Sequence, residues 1–115
     1  MHYATQQTKA GPKADRVLLV APPADPAIAG IGDWLPAPLD AAGMAAASAE
    51  TVIVASDDDE FATYENAEEY AAGLQVPVYK LSGAGHISPF YGYGRWSWVH
   101  DWCLHAAELP PLPNR

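Results

Sequence analysis

Two short stretches of this chain hold residue types suited to moving a proton: Ala55-Ser56-Asp57-Asp58-Asp59 and Gly83-Ala84-Gly85-His86. Each follows a short strand-forming run, and the acids precede the histidine in the sequence. A carboxylate at one strand end can accept the imidazole Nδ1–H offered from the next, fixing the tautomer and stabilising the imidazolium as it forms. The other ring nitrogen is then left to act as a general base. Such a pair serves a nucleophile, and the usual device is a serine on a sharp strand-to-helix turn of the form G-x-S-x-G. No such turn occurs in the 115 residues. Ser56, Ser82, Ser88 and Ser97 are all expected away from a turn of that kind. Cys103 is expected as a small hydrophobe on a helix.

Other chemistries fit these residues less well. The run Asp57-Asp58-Asp59-Glu60 can be a solvated turn before a helix, where carboxylates favour the positive end of the dipole. It can also offer oxygens to a divalent cation, although adjacent side chains seldom converge on one ion without a dedicated loop. The expectation is one working acid with the others solvated. The glycines of 83–85 do not form G-x-G-x-x-G ahead of a helix, and no lysine follows. His100 and His105 lie five residues apart, the wrong spacing for two ligands on one helix face, and H-E-x-x-H is missing. Neither a cofactor nor a bound metal is expected.

The elements that must position these residues alternate along the chain. Residues 2–9 read as helix, ended by Gly11-Pro12. Arg16–Ala21 is a continuous apolar run of the kind buried on both faces of a sheet, stopped by Pro22-Pro23. Residues 22–49, rich in Pro, Ala and Gly, read as a long connection with short helical pieces around Ile31–Leu35. Thr51–Ala55 is a second buried strand. Thr63 then caps a helix with Tyr64, Ala67, Tyr70, Ala71 and Leu74 on one face and Gly73 near its end. Residues 76–81 form a third strand, and a last helix over 96–108 carries Trp98, Trp102 and Ala106 on one stripe. Strands alternating with helices predict an α/β fold with a parallel sheet, here three strands flanked by helices in one domain. The proline-rich segment 110–115 reads as a flexible tail.

Composition narrows the partners. Half of the residues are hydrophobic and 17% are charged, an ordinary globular balance. The net charge of −8, with seven of the fourteen acids between Asp57 and Glu69, disfavours nucleic acid. No apolar run approaches the roughly 18 residues of a membrane span. Met1-His2-Tyr3-Ala4-Thr5 has neither a basic nor an apolar signal region, and one cysteine excludes an internal disulfide. A cytoplasmic protein is the expectation.

Val54-Ala55-Ser56-Asp57-Asp58-Asp59, Gly83-Ala84-Gly85-His86-Ile87 and Gly92-Tyr93-Gly94-Arg95-Trp96 resemble the carboxy-terminal half of the small serine hydrolases. These are single-domain α/β-hydrolases, a group typified by retinoblastoma-binding protein nine. Val17–Asp25 resembles the strand and turn that follow the nucleophile helix in that family, so the likeness extends over residues 2–108. The resemblance implies a partial α/β-hydrolase fold and hydrolysis of small carboxylic esters or related acyl substrates. It implies His86 as catalytic histidine and Asp59 as catalytic acid. The family usually has proline where this chain has Glu60, so Asp58 also remains eligible. The family's nucleophile would lie just upstream of Met1. A truncated chain, inactive alone, is therefore expected, with a non-catalytic interaction module as the alternative. In either case Val17–Ala21 would lack its flanking strand, leaving an edge open to self-association.

Overall fold

The computed structural model describes residues 14–22 and 40–114. The expected helix over 2–9 and the helical pieces around Ile31–Leu35 lie outside them. Strand β1 (Ala14–Val20), helix α1 (Ala41–Ala47), strand β2 (Ser48–Ser56), helix α2 (Tyr64–Leu74), strand β3 (Val78–Leu81) and helix α3 (Ser97–His105) follow in that order. A 3-10 turn, Pro89–Tyr91, precedes α3. The strands form one parallel sheet in the order β1-β2-β3. Val20 pairs with Val54, and Ser56 with Leu81, so β2 lies in the middle.

The central place of β2 explains its composition. Every residue from Thr51 to Ser56 is buried, which a strand achieves only when both faces are covered. Alternation sends Val52 and Val54 to one face, where they share a core with Ala21, Leu81, Ala84, Ile87, Trp98 and Trp102. Thr51, Ile53 and Ala55 point to the opposite face. Helices α1 and α2 pack against β2 and against each other, burying Met44, Ala47, Ala67, Ala71 and Leu74, while α3 lies against β1. Among the described residues no helix is long and apolar enough to cross a membrane.

Four boundaries differ from the sequence reading. Residues 41–47, expected as part of a connection, are helical, and β2 follows α1 without an intervening loop. The stretch Ala-Ala-Gly-Met-Ala-Ala-Ala has little apolar contrast, so periodicity misses it, yet alanine is the best helix former and Asp40 caps it by accepting from Gly43 N. Strand β3 starts at Val78, because Pro77 has no N–H to give; its carbonyl still accepts from Ile53 N at 2.9 Å. Strand β2 itself starts at Ser48 rather than Thr51, whereas helix α2 has Gly73 near its end as expected and closes on Gln75 in the left-handed region at φ 56°. Helix α3 stops at His105, and Ala106 adopts φ 52° as its cap instead of extending the buried stripe.

Within the segment read as a flexible tail, Leu112 and Asn114 bond to residues that precede α3. Trp96 Nε1 donates to the Leu112 carbonyl at 2.7 Å, Asn114 Nδ2 donates to the Gly92 carbonyl at 2.6 Å, and Pro111 is buried.

Candidate active site

Both sequence stretches of interest leave the carboxyl ends of adjacent parallel strands, the place where ligands gather in open α/β sheets. The first runs from the end of β2 at Ser56 through Glu60. The second runs from the end of β3 through Ile87. Backbone pairing continues one step past the strands, with Asp57 N donating to the Leu81 carbonyl at 3.1 Å, so the two segments leave the sheet side by side.

His86 Nδ1 lies 3.0 Å from Asp59 Oδ2 and 3.2 Å from Oδ1. The Asp59 side chain is 3% exposed and that of His86 32%, a shielded acid beneath a partly open imidazole. Asp59 Oδ1 also accepts from Phe61 N at 2.8 Å, which fixes the carboxylate plane. The Phe61 ring lies against the imidazole, with centroids 4.6 Å apart and planes tilted by 55°. A carboxylate bonded to Nδ1 selects the tautomer with its proton there and leaves Nε2, across the ring, as the basic nitrogen.

Asp57, Asp58 and Glu60 are exposed, in keeping with the expectation of solvated neighbours, and each also accepts a hydrogen bond. Asp57 Oδ1 accepts from Gly83 N at 2.8 Å. Asp58 Oδ1 accepts from Gly85 N at 2.7 Å and from the Ser56 hydroxyl at 2.6 Å. The Ser56 oxygen in turn accepts from Ala84 N at 3.0 Å. Three successive amides of the histidine loop are thus held by three successive side chains at the end of β2. Glu60 accepts the Tyr91 hydroxyl at 3.0 Å. The Ser56 hydroxyl, followed by the Gly85 amide, holds the Asp58 carboxyl below the ordinary aspartate range. The bond to Glu60 is the largest of the influences that raise the Tyr91 phenol, followed by burial and the charges of Glu60, Asp58 and Asp59.

Of the serines weighed as nucleophiles, Ser56 is 1% exposed, with its hydroxyl committed to Asp58 and Ala84. Ser88 precedes the 3-10 turn, and Ser97 opens α3. Cys103, half-buried, packs against the core, and its carbonyl accepts from Arg16. Among the described residues no three His, Cys, Asp or Glu side chains converge as metal ligands. Sequence reasoning missed the amide clamp because its partners are backbone N–H groups, which carry no residue signature. The one available signal is a run of short polar side chains facing a glycine-rich loop across neighbouring strands.

A family model described as serine hydrolase matches residues 1–103. No curated protein and no solved structure matches the chain. With the match extending over most of its length, and with an α/β sheet that presents acid and histidine on adjacent strand ends, the chain belongs to the serine hydrolase family.

Proposed function

We infer that Asp59 and His86 are the acid and the general base of a serine hydrolase that cleaves small carboxylic esters or related acyl substrates. The observation carrying this reading is the contact of His86 Nδ1 with both Asp59 oxygens at 3.0 and 3.2 Å. In this role His86 Nε2 takes the proton from a serine hydroxyl and returns it to the leaving group, while Asp59 orients the ring. Asp59 is favoured over Asp58 because Asp58 Oδ1 is already engaged by Ser56 and Gly85. The chemistry requires no cofactor, and a cytoplasmic setting suits a chain with one cysteine.

The 115 residues contain no G-x-S-x-G, so by themselves they are read as inactive. An acid–base pair without its nucleophile retains little rate enhancement. A fluorophosphonate probe labels serines only when they are activated. The 115-residue chain should remain unlabelled; clear labelling that disappears in His86→Ala would overturn its inactivity. Joined to a preceding segment that supplies the elbow, the same residues should support ester turnover. That turnover should then fall by roughly 10⁴-fold or more in His86→Ala and Asp59→Ala. Full activity of the Asp59→Ala form would remove Asp59 from the mechanism.

A second reading, an interaction module built on the hydrolase sheet, is favoured by one feature. Among the described residues β1 pairs only with β2, and Val20 at its end is 36% exposed. An open parallel edge is a template for a second copy. Sedimentation of the 115-residue chain should show association rising with concentration, and a strict monomer at high concentration would exclude this reading.

A further inference from the structure

We propose that Asp58 is a positioning residue for His86, holding the Gly85 amide so that the imidazole is delivered to Asp59. The inference rests on the reading of His86 as the general base, and it adds a residue to that site.

The loop that carries His86 has little regular structure to hold it. Gly85 at φ 58° and Ile87 at φ 52° place left-handed residues on either side of the histidine, and Gly83 adds a third at φ 66°. Within the turn itself the backbone supplies Ile87 N to the Ala84 carbonyl at 3.1 Å. The other hydrogen bonds that hold its amides come from the end of β2 and the turn that follows it. Asp57 holds Gly83, Ser56 holds Ala84, and Asp58 holds Gly85, at 2.8, 3.0 and 2.7 Å. The Asp58 bond is the shortest of the three and acts one residue from the imidazole. A histidine between two left-handed residues swings with small changes in the backbone ahead of it. Misplacement of a catalytic group by about 1 Å is enough to cost 10²-fold in rate.

Both bonds to Asp58 end on the same oxygen, Oδ1. Geometry and charge can therefore be separated. Asparagine keeps a carbonyl oxygen with two lone pairs at that place and can accept from both Ser56 and Gly85 without the charge. Glutamate keeps the charge but displaces the oxygens by one methylene. Alanine removes both properties.

The test reads the His86 tautomer in the ¹⁵N-labelled 115-residue chain at neutral pH, using long-range proton–nitrogen spectra. Wild type and Asp58→Asn should show the ring protonated on Nδ1, the state that Asp59 selects. Asp58→Ala and Asp58→Glu should lose that preference and drift to the tautomer mixture of a free imidazole, with backbone amide dispersion otherwise retained. A wild-type tautomer in Asp58→Glu, or its loss in Asp58→Asn, overturns the proposal. If Asp58→Ala does not fold, the contrast between the other two variants decides alone. The tautomer is read without substrate, so a failure of the ester-cleavage reading would appear in the turnover assays and leave this result standing.

Discussion

The ring of Tyr91 occupies the space that a side chain on Gly85 would need, while the Tyr91 hydroxyl donates to Glu60 at 3.0 Å. The tyrosine ring therefore packs against the histidine loop, whose amides Asp57 and Asp58 hold from the turn after β2. Gly85 is required there twice over, by its φ of +58° and by the ring above it.

Gly85→Ala should destabilise the fold on both counts. A left-handed backbone costs a residue with a Cβ about 1–2 kcal/mol. Forcing a methyl group against a packed ring costs about 1–3 kcal/mol more. In a Tyr91→Ala background the second contribution disappears and the first persists. Urea unfolding of the two single variants and the double variant should give a clearly non-additive cycle. Additive losses would mean that the ring moves aside freely.

Asp58 gives stability an acid dependence. Its carboxyl is held below the ordinary value of 3.8 in the folded chain by Ser56 and then Gly85. A depressed carboxyl stabilises the fold fully above the unfolded pKa, and that contribution is lost as pH falls through the lower, folded value. Unfolding midpoints should therefore decline below about pH 4, and less steeply in Asp58→Asn, which carries no titrating proton. Tyr91 works in the opposite sense. Its raised phenol contributes below the ordinary tyrosine value of 10.0 and loses that contribution as pH rises through the folded value. Tyr91→Phe should flatten the alkaline limb.

Helix α2 carries a reciprocal cap. Thr63 Oγ1 accepts from Asn66 N at 3.1 Å, and Asn66 Oδ1 accepts from Thr63 N at 3.0 Å. Thr63→Ala should cost about 1 kcal/mol in urea unfolding. Thr63→Ser, which preserves the acceptor, should recover most of it.

What the sequence disclosed follows from how local each signal is. The Thr63 cap was legible because its partner lies three residues away, and Thr51–Ala55 because burial on both faces leaves an unbroken apolar run. That an acid of the 57–60 run would meet His86 followed from their order along alternating elements, whereas the choice of Asp59, with Asp58 still eligible, rested on the family resemblance. Helix α1 escaped because alanine forms helix without marking a face. The termination of α3 at His105 escaped because Ala106 has nothing in its chemistry that announces a left-handed cap. Ser56, Asp57 and Asp58 were the hardest to read. Their partners are the amides of residues 83–85, more than 25 positions away, and an amide has the same identity in every residue except proline.

The tryptophans of α3 offer the last prediction, because they link the helix to the sheet beneath the site. Trp102 is 1% exposed and Trp98 3%, and their rings stack with centroids 6.1 Å apart and 24° between planes. They share one core with Val52 and Val54 of β2 and with Ala84 and Ile87 of the histidine loop. Removing Trp102 withdraws a large apolar surface from that core and leaves a cavity beneath the loop. Trp102→Ala should cost about 3–5 kcal/mol. Trp98 differs in having a polar duty as well, since its Nε1 donates to the Glu108 carbonyl at 3.1 Å and ties down the chain after α3. Trp98→Phe retains most of the packing and forfeits that bond, so its loss should be smaller, about 1 kcal/mol for the hydrogen bond itself. Amide exchange separates the two effects: Trp98→Phe should loosen residues 106–109, whereas Trp102→Ala should raise exchange at Ala84 and Ile87 as well. Equal exchange patterns in the two variants would mean that α3 acts as one rigid block and that the Glu108 tie is incidental.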